Sequence, residues 1–134
     1  MDLSGTTAAV TGAAGFIGSA VCARLAAEGA TVAGLDLPGA NAGRVAAAGA
    51  EFRPADVTDA AAVREAVAGA DLVVHTAAIV TDWGPMAEVV RVNVGGTRNV
   101  LDAAEAAGAR TVHVSSVAVW GYEFREDLPE DAEP

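Results

Sequence analysis

The stretch "AAVTGAAGFIGSAV" at residues 8–21 decides the fold of this chain. It is an apolar run, then three glycines at a spacing of three (Gly12, Gly15 and Gly18), then a second apolar run. The first glycine allows a sharp turn after a strand, the second lets a bulky anion approach the backbone, and the third lets a helix pack closely on a sheet. The N-terminus of that helix offers unpaired N–H groups to phosphate oxygens. The stretch therefore predicts a strand, a phosphate-binding turn and a helix, or else a turn that needs glycine for its backbone alone.

Length and composition are typical of one globular domain. The chain has 134 residues, of which 52% are hydrophobic and 19% are charged, and such a chain can bury a real core. The last twelve residues differ, because they hold six of the eighteen acidic residues and two of the five prolines. We therefore expect a domain over residues 1–122 and an exposed acidic loop or tail over residues 123–134.

The charge balance excludes several classes of partner. The net charge is −10, all eight basic residues are arginine, and lysine is absent, so the dense basic surface of a nucleic-acid-binding protein is missing. No apolar run approaches the ~18 residues of a membrane span, and the first residues lack the basic region of a signal peptide. The single cysteine, Cys22, cannot form an internal disulfide and is expected to be buried. We expect a cytoplasmic protein without nucleic-acid, membrane or metal partners.

Strand and helix signals alternate along the chain. Strands are predicted over residues 6–11, 31–36, 51–53, 71–76 and 110–115, and helices over residues 15–28, 41–48 and 85–107 and between residues 58 and 69. Thr58 is the predicted N-cap of the third helix, and Pro54 is expected to stop the third strand. Ile17, Val21 and Leu25 form the predicted buried face of the first helix.

The character of the strands predicts how they assemble. Several of them are apolar without alternation, which is typical of a parallel sheet that is covered on both faces. Alternating strands and helices imply right-handed crossovers. We therefore predict an α/β fold, with a doubly wound parallel sheet in the strand order 3-2-1-4-5.

An acidic residue at the end of the second strand indicates the ligand class. Asp36 lies 18 residues after Gly18, where a carboxylate can accept hydrogen bonds from both ribose hydroxyls of an adenosine and repel a 2′-phosphate. The position favours NAD as the cofactor over NADP, for which Arg44 is the only nearby cation. Alternatively, Asp36 is a solvated acid of a loop.

Several motifs together carry a resemblance to a known family. They are T-G-x-x-G-x-x-G at 11–18 with GFIG at 15–18, ADV at 55–57, HTAA at 75–78, NVGGT at 93–97 and SSVAVWG at 115–121. In these motifs the chain resembles the extended short-chain dehydrogenase/reductases, the NAD-dependent epimerase/dehydratase group, along its whole length. The resemblance implies a Rossmann-type fold, truncated before the later strands and the substrate domain. It implies the NAD-binding portion of an enzyme that acts on a hydroxyl or carbonyl substrate, such as a nucleotide-sugar or a secondary alcohol.

The resemblance also assigns roles to individual residues. Asp56 and Val57 are expected to contact the adenine, and residues 75–78 to line the ribose on the nicotinamide side. Ser116 takes the place of the catalytic Ser/Thr, and Asn93 is the structural asparagine of its helix and a second residue of the catalytic site. The implied cofactor-binding residues are Gly12, Ala14, Gly15, Phe16, Ile17, Gly18, Asp36, Asp56, Val57, Thr76, Ala77, Ala78, Asn93, Val114 and Ser115.

Several of these residues also have a purely structural interpretation. Asp56 could cap the turn before Thr58, His75 could be bonded to backbone at the end of its strand, and His113 in mid-strand is expected to be structural. Asn93 is unfavourable inside a helix, so we expect a tertiary hydrogen bond to hold it.

Two neighbouring pairs of residues in this region carry weaker signals. Gly95 and Gly96 weaken the helix that contains Asn93, which predicts close backbone packing. Asp82 and Trp83, in the loop after the fourth strand, could face a substrate.

The family's proton-transfer chemistry is incomplete in these 134 residues. The family uses a tyrosine with a lysine four residues later, whereas the one tyrosine here, Tyr122, is followed at that distance by Glu126, and Trp120 replaces the tyrosine of the S-S-x-x-V-Y-G stretch. We therefore expect the isolated chain to be redox-inert although Ser116 is present.

Three hypotheses follow from this incomplete chemistry. The chain is a fragment of a longer enzyme, a natural truncated NAD-binding protein without redox activity that acts as a sensor or partner subunit, or a truncated enzyme with different chemistry. The resemblance also implies a homodimer formed through the helix at 85–107, or a chain that is prone to association.

Overall fold

A computed structural model describes residues 2–81, 83–121 and 129 of the chain. Its centre is a parallel sheet of five strands in the order β3-β2-β1-β4-β5, which confirms the predicted topology. The strands are β1 (Thr7–Thr11), β2 (Thr31–Asp36), β3 (Glu51–Pro54), β4 (Leu72–His75) and β5 (Arg110–His113). The register pairs Thr11 with both Leu35 and His75, so the carboxyl ends of the central strands meet at one edge of the sheet.

Helices cover both faces of this sheet. They are α1 (Phe16–Ala27), α2 (Ala42–Ala47), α3 (Ala60–Ala66), α4 (Met86–Val90) and α5 (Thr97–Ala107), with a π-helical segment (Arg91–Gly96) between α4 and α5 and a 3₁₀ turn (Val117–Trp120) after β5. One core cluster contains Cys22 of α1 and Val45 of α2, and a second contains Val63 of α3 and Val100 of α5. The arrangement is the three-layer, doubly wound fold that the alternation of strands and helices predicts.

The buried face of α1 differs from the predicted one by one residue. Gly18 and Cys22 are buried, whereas Ile17 is half exposed and Val21 and Leu25 are only partly buried. The reason is the close approach of the helix at Gly18, because this glycine faces the backbone of the preceding turn and brings its own side of the helix onto the sheet.

One other detail of the prediction is wrong. The N-cap of α3 is Asp59, whose carboxylate accepts hydrogen bonds from the N–H groups of Ala61 and Ala62, because Thr58 is instead bonded to Asp56. β3 does end at Pro54, as predicted, and the proline itself is its last residue. A proline is tolerated there because β3 is an edge strand of the described sheet.

The predicted helix at 85–107 is continuous but contains a π-helical segment at its centre. An added Cβ at Gly96 would lie 2.6 Å from Val57 Cγ2, whereas one at Gly95 would meet no atom within 4 Å. The expected close packing therefore holds for Gly96 and not for Gly95. Residues Asp82 and Tyr122, and the predicted tail at 123–134 apart from Pro129, lie outside the described residues.

The fifth strand is two residues shorter than the predicted one. β5 ends at His113, so this residue terminates its strand and does not lie in the middle of it. Within residues 2–81, 83–121 and 129, we find no helix with the length and apolar character that crossing a membrane requires.

Candidate functional site

A cleft of about 480 Å³ lies at the carboxyl ends of the parallel strands. This is the edge at which doubly wound sheets bind ligands, where the strand order reverses on either side of β1. Its walls come from the turns after β1, β2, β3 and β4 and from one side of the helix after Pro85. The lining residues are Gly12, Ala14, Gly15, Leu35, Asp36, Leu37, Ala55, Asp56, Val57, Thr76, Ala77, Ala78, Ile79, Glu88, Arg91 and Val92.

The turn after β1 forms the floor of the cleft. Gly12 has a φ of 67°, and the N–H of Gly15 donates a hydrogen bond to its carbonyl oxygen at 2.9 Å. α1 begins directly afterwards without a side-chain cap, and its first internal bond runs from the N–H of Ser19 to the carbonyl of Gly15. The N–H groups that precede Ser19 in the first turn thus have no acceptor within the helix, and they carry the positive end of its dipole.

Gly18 holds α1 against this turn. A Cβ at Gly18 would overlap the carbonyl oxygen of Gly12 and lie 2.7 Å from its carbonyl carbon. At Gly15 a Cβ would approach the same oxygen to 3.0 Å. All three glycines therefore belong to one tight turn of backbone, in which Gly12 has a positive φ and Gly15 and Gly18 pack against its carbonyl group. Phe16 and Ile17, by contrast, point largely into solvent, with exposed fractions of 85% and 50%.

Asp36 stands at the rim of the cleft, at the end of β2. Its Oδ2 accepts a hydrogen bond from the N–H of Ala14 and its Oδ1 one from the N–H of Leu37, both at 2.8 Å. The carboxylate is half-buried and lines the cleft. Each carboxylate oxygen has a further lone pair, so the group can accept hydrogen bonds from a ligand while it holds the turn after β1. Arg44, the predicted alternative partner of a phosphate, is not a lining residue, and its Nε donates to Ser19 Oγ at 3.2 Å.

A second carboxylate lies beside the first, at the end of β3. Asp56 Oδ1 accepts hydrogen bonds from both the N–H and the hydroxyl of Thr58 at 2.8 Å, which lowers the pKa of the Asp56 carboxyl. The predicted capping of this turn is therefore observed, and the side chain also lines the cleft. Both the structural and the ligand-facing interpretations of Asp56 are compatible with this position.

Charged side chains of the π-helical region close the same wall. Arg91 donates to Glu88 Oε1 at 2.6 Å and to Thr58 Oγ1 at 2.7 Å. The contact with Glu88 raises the pKa of Arg91 and lowers that of Glu88. With a further bond from its Nε to Glu88 Oε2 at 3.2 Å, the guanidinium is held by two residues, and it places a cation near Asp56 on a wall of the cleft.

The turn after β4 is tied to β1 by hydroxyl groups. Thr11 Oγ1 accepts from the N–H groups of Thr76 and Ala77 at 3.2 Å, and Thr76 Oγ1 donates to the carbonyl of Thr11 at 2.6 Å. Further along the turn, Asn93 accepts from the N–H of Ile79 at 2.8 Å and donates to its carbonyl at 2.9 Å. The expected tertiary hydrogen bond of Asn93 is confirmed, and it acts on a residue of the cleft wall.

His75 is buried behind this wall, with 1% of its surface exposed. Its ring nitrogens lie 2.6 Å from Thr11 Oγ1 and 2.9 Å from Thr97 Oγ1. The expectation of a bond to backbone is therefore wrong, because two threonine hydroxyls from neighbouring elements reach the ring. Burial, with a smaller contribution from the His113 ring at 5.3 Å, lowers the pKa of His75 from its usual 6.5 to about 4.

The serines after β5 lie at the same edge of the sheet but do not line the cleft. The N–H of Val114 donates to the carbonyl of His75 at 3.0 Å and extends the strand pairing by one residue. Ser115 and Ser116 are exposed, and Ser116 Oγ accepts from the N–H of Ala118 at 3.2 Å as the N-cap of the 3₁₀ turn. Trp83, in the loop after β4, is 89% exposed.

The structure brings together most, but not all, of the residues predicted to contact a cofactor. The predicted residues that line the cleft are Gly12, Ala14, Gly15, Asp36, Asp56, Val57, Thr76, Ala77 and Ala78. The predicted residues outside its lining are Phe16, Ile17, Gly18, Asn93, Val114, Ser115 and Ser116. The lining residues that sequence reasoning missed are Leu35, Leu37, Ala55, Ile79, Glu88, Arg91 and Val92.

Some of the missed residues carried a usable signal. Leu37 and Ala55 immediately adjoin Asp36 and Asp56 at the ends of their strands, so they follow from the same argument. Arg91 and its partner Glu88 carried none, because only the packing of the helix against the turn after β3 brings them to the cleft. Among the described residues, no three His, Cys, Asp or Glu side chains lie together in a way that could hold a metal ion.

Comparisons with known proteins agree with this geometry. The family model described as the NAD dependent epimerase/dehydratase family matches residues 8–134. No curated protein sequence matches the chain. Solved structures do match, but the chain spans only 38–47% of the length of the three described next.

One similar structure is a short-chain dehydrogenase/reductase superfamily protein from Agrobacterium tumefaciens with bound NAD. It is 38% identical with a TM-score of 0.77 over 93% of this chain and 38% of that one. Uronate dehydrogenase from the same organism is 34% identical with a TM-score of 0.74, over 92% of this chain and 47% of that one.

UDP-glucose-4-epimerase from Stenotrophomonas maltophila, with bound NAD and formylated UDP-arabinopyranose, is a third similar structure. It is 28% identical with a TM-score of 0.84, over 95% of this chain and 42% of that one.

Proposed function

The chain belongs to the NAD-dependent epimerase/dehydratase family, and from this premise we propose that it binds NAD in the cleft at the carboxyl edge of the sheet. The single observation that carries the proposal is the turn after β1. There, an uncapped helix N-terminus and the Asp36 carboxylate face one cleft. The same carboxylate accepts a hydrogen bond from the N–H of Ala14 within the turn, at 2.8 Å.

The pyrophosphate is proposed to lie over the first turn of α1. The backbone N–H groups there have no acceptor within the helix, and the helix dipole favours an anion. Gly15 leaves room for the phosphate oxygens because it has no Cβ. With a net charge of −10 and no lysine, the chain is proposed to hold the phosphates mainly through these backbone donors.

The adenosine end is proposed to lie between Asp36 and the π-helical segment. Asp36 would accept hydrogen bonds from the ribose hydroxyls, and its charge would oppose a 2′-phosphate, so we propose NAD in preference to NADP. Val57 and Val92 offer apolar surface to the adenine, and Asp56 offers an acceptor to its amino group. Arg91 is engaged by Glu88 and Thr58, which leaves it poorly placed to neutralise a 2′-phosphate.

The nicotinamide end is proposed to follow the turn after β4 towards the serines after β5. Thr76, Ala77 and Ala78 line this part of the cleft, and Ser115 and Ser116 follow β5 at the same sheet edge. When bound, the nicotinamide supplies hydride acceptance or donation. The Ser116 hydroxyl can orient a substrate oxygen, but its proton is not available near neutral pH.

For an enzyme of the length of the similar structures, with these residues as its NAD-binding portion, we propose an oxidoreductase or epimerase reaction. Its substrate would carry a hydroxyl or carbonyl group, as a nucleotide-sugar or a secondary alcohol does. Relatives that include a UDP-glucose-4-epimerase and a uronate dehydrogenase support this class. A second candidate is NAD binding without redox chemistry, which is favoured by the absence of lysine. We also propose a cytoplasmic location and self-association through the helix at 86–107, where Met86, Val90, Val94 and Leu101 are exposed.

Calorimetric titration of the isolated chain with NAD and NADP tests the proposal. We expect NAD to bind at one site per chain and NADP to bind more weakly. In a parallel assay with sugars, nucleotide-sugars, secondary alcohols and ketones, we expect no change in NADH concentration. Turnover that disappears in Ser116→Ala would show that the chain supplies a proton donor and would contradict redox inertness. Equal or tighter binding of NADP would contradict the role of Asp36.

A further inference from the structure

The buried ring of His75 belongs to a hydrogen-bond chain whose proton positions can be worked out. Thr97 Oγ1 lies 2.6 Å from the carbonyl oxygen of Asn93. A carbonyl oxygen only accepts, so the single hydroxyl proton of Thr97 is donated to it. Thr97 Oγ1 must therefore accept in its contact with His75 Nε2 at 2.9 Å. The proton of the ring consequently lies on Nε2.

The opposite side of the ring follows from the same count. A neutral imidazole with its proton on Nε2 has an acceptor at Nδ1, so Thr11 donates its hydroxyl proton to Nδ1 at 2.6 Å. The two lone pairs of Thr11 Oγ1 are then free to accept from the N–H groups of Thr76 and Ala77. Every donor in this series of hydrogen bonds therefore has one acceptor. The burial of the ring favours its neutral form.

The two ends of this chain reach the walls of the nucleotide cleft. On one side, Thr11 precedes Gly12, and Thr76 and Ala77 are lining residues. On the other side, Asn93 binds both backbone groups of Ile79, which also lines the cleft. The π-helical segment that contains Asn93 also supplies Arg91 and Val92 to the wall of the cleft. His75 is the link between the two sides, because its two nitrogens join a β-strand hydroxyl to a helix hydroxyl.

We propose that His75, as its Nε2–H tautomer, is a positioning residue for the nucleotide cleft that fixes the turn after β4 relative to the turn after β1 and to the π-helical segment. The inference rests on the proposed function, since the ligand whose affinity it sets is NAD. The alternative is that His75 fills space in the core. In that case its substitutions would change the free energy of unfolding but not the affinity of the folded protein for NAD.

The first test needs no ligand and no variant. In ¹⁵N- and ¹³C-labelled wild-type chain at pH 7, we expect the His75 ring to show a protonated Nε2 and an unprotonated Nδ1. We also expect slow amide hydrogen exchange at Ala77. A proton on Nδ1, or on both nitrogens, would overturn the proposed chain of hydrogen bonds.

The second test uses two variants that each keep one of the two hydrogen bonds of His75, and a third that loses both. The amide of His75→Asn reaches the position of Nδ1 and can still accept from Thr11, whereas the amide of His75→Gln reaches the position of Nε2 and can still donate to Thr97. His75→Leu keeps the bulk and loses both. We expect the Kd for NAD to rise about 3- to 10-fold in the first two variants and about 10- to 100-fold in His75→Leu, relative to the wild-type chain.

A double-mutant cycle distinguishes positioning from packing. Combining His75→Leu with Thr97→Val should raise the Kd less than the product of the two single effects, by a factor of about three or more, because both substitutions break the same link. All variants are compared under conditions in which urea unfolding shows them to be folded. Wild-type affinity in all three His75 variants, or additivity in the cycle, would overturn the positioning role alone. Failure of the wild-type chain to bind NAD would overturn the proposed function instead.

Discussion

The Oδ2 atom of Asp36 lies 2.8 Å from the backbone nitrogen of Ala14, so the last residue of β2 holds the turn that follows β1. The same carboxylate accepts from the N–H of Leu37 through its other oxygen. One side chain therefore shapes the phosphate-facing turn and stands at the proposed ribose position. In the proposed complex, the preference for NAD and the geometry of the turn would therefore depend on the same carboxylate.

Replacement of Asp36 by alanine should weaken NAD binding and narrow the preference for NAD over NADP. The loss of hydrogen bonds to a charged acceptor costs about 1.5–3 kcal/mol, which corresponds to roughly a 10- to 100-fold rise in Kd. NADP should be affected less, because the repulsion of its 2′-phosphate disappears at the same time. Isothermal titration calorimetry with both dinucleotides measures the ratio.

Asp102→Ala is the matched control for this experiment, since Asp102 is an exposed acid on α5. It removes one negative charge without touching the cleft, and it should leave both affinities unchanged. An unchanged NAD to NADP ratio in Asp36→Ala would show that the carboxylate does not contact the ribose.

Two glycines of the chain should respond in opposite directions to alanine. A Cβ at Gly18 would overlap the carbonyl of Gly12, which is backbone and has little freedom to move, so we expect Gly18→Ala to lower the free energy of unfolding by about 3 kcal/mol. A Cβ at Gly95 would meet no atom within 4 Å, and Gly95→Ala should raise it by about 0.5 kcal/mol. Urea unfolding followed by circular dichroism measures both. A neutral Gly18→Ala would contradict the close approach of α1 to the turn.

Gly15→Val tests the other role assigned to these glycines. A side chain at Gly15 would occupy space proposed for the pyrophosphate, so we expect loss of NAD binding with the fold largely retained. Undiminished NAD affinity in calorimetry would mean that this glycine serves the turn alone.

The stability of the chain should fall on acidification between pH 6.5 and 4. The pKa of His75 is lowered to about 4 in the fold, mainly by burial, and is near 6.5 when the chain is unfolded. In that window the unfolded state binds a proton that the folded state does not, so the free energy of unfolding decreases as the pH falls, by about 3 kcal/mol in all. Asp56, whose pKa is lowered by the Thr58 N–H, adds its own loss only below about pH 5.

Variants of the two histidines of the chain separate this effect from others. His75→Gln should flatten the dependence of the unfolding free energy on pH between 6.5 and 5, whereas His113→Gln should retain most of it. The measurement is a set of urea titrations at half-unit steps of pH. An unchanged slope in His75→Gln would show that His75 is not the responsible group.

The exposed apolar side chains of the helix at 86–107 should mediate self-association. Val94 and Leu101 have exposed fractions of 53% and 43% on this helix, and burial of such a face is what a dimer contact requires. Leu101→Glu should shift the chain towards the monomer in light scattering at high concentration, whereas Ala23→Glu, on the exposed side of α1, should not. A monodisperse wild-type monomer would contradict the proposal.

The alternation of strands and helices predicts a doubly wound parallel sheet, because right-handed crossovers leave few ways to arrange such a chain, and the glycine-rich turn after β1 favours the strand order 3-2-1-4-5. Most of the cleft was also predictable, since Gly12, Asp36 and Thr76 adjoin the carboxyl ends of strands. Those ends meet at one edge in any parallel sheet of this order.

The parts that could not be predicted depend on tertiary packing. The hydrogen bond from Arg91 to Thr58 joins a helix to a turn 33 residues away, and no local pattern encodes it, whereas the pairing of Arg91 with Glu88 is an ordinary (i, i+3) contact within the helix. The partners of His75 are 64 and 22 residues distant. The shift of the buried face of α1 from Ile17 to Gly18 arises because close packing of the backbone outweighed the apolar periodicity of the sequence.

The most direct test of NAD binding in the cleft is a titration of the ¹⁵N-labelled chain with NAD, followed in two-dimensional ¹H–¹⁵N spectra. We predict saturable shifts of the amide signals of Gly15, Leu37, Val57 and Ala77, which lie on four different walls of the cleft, with little change at exposed positions of α5 such as Asp102. The same titration with NADP should need higher concentrations. Absence of shifts at saturating NAD, or shifts centred away from these four residues, would contradict the account.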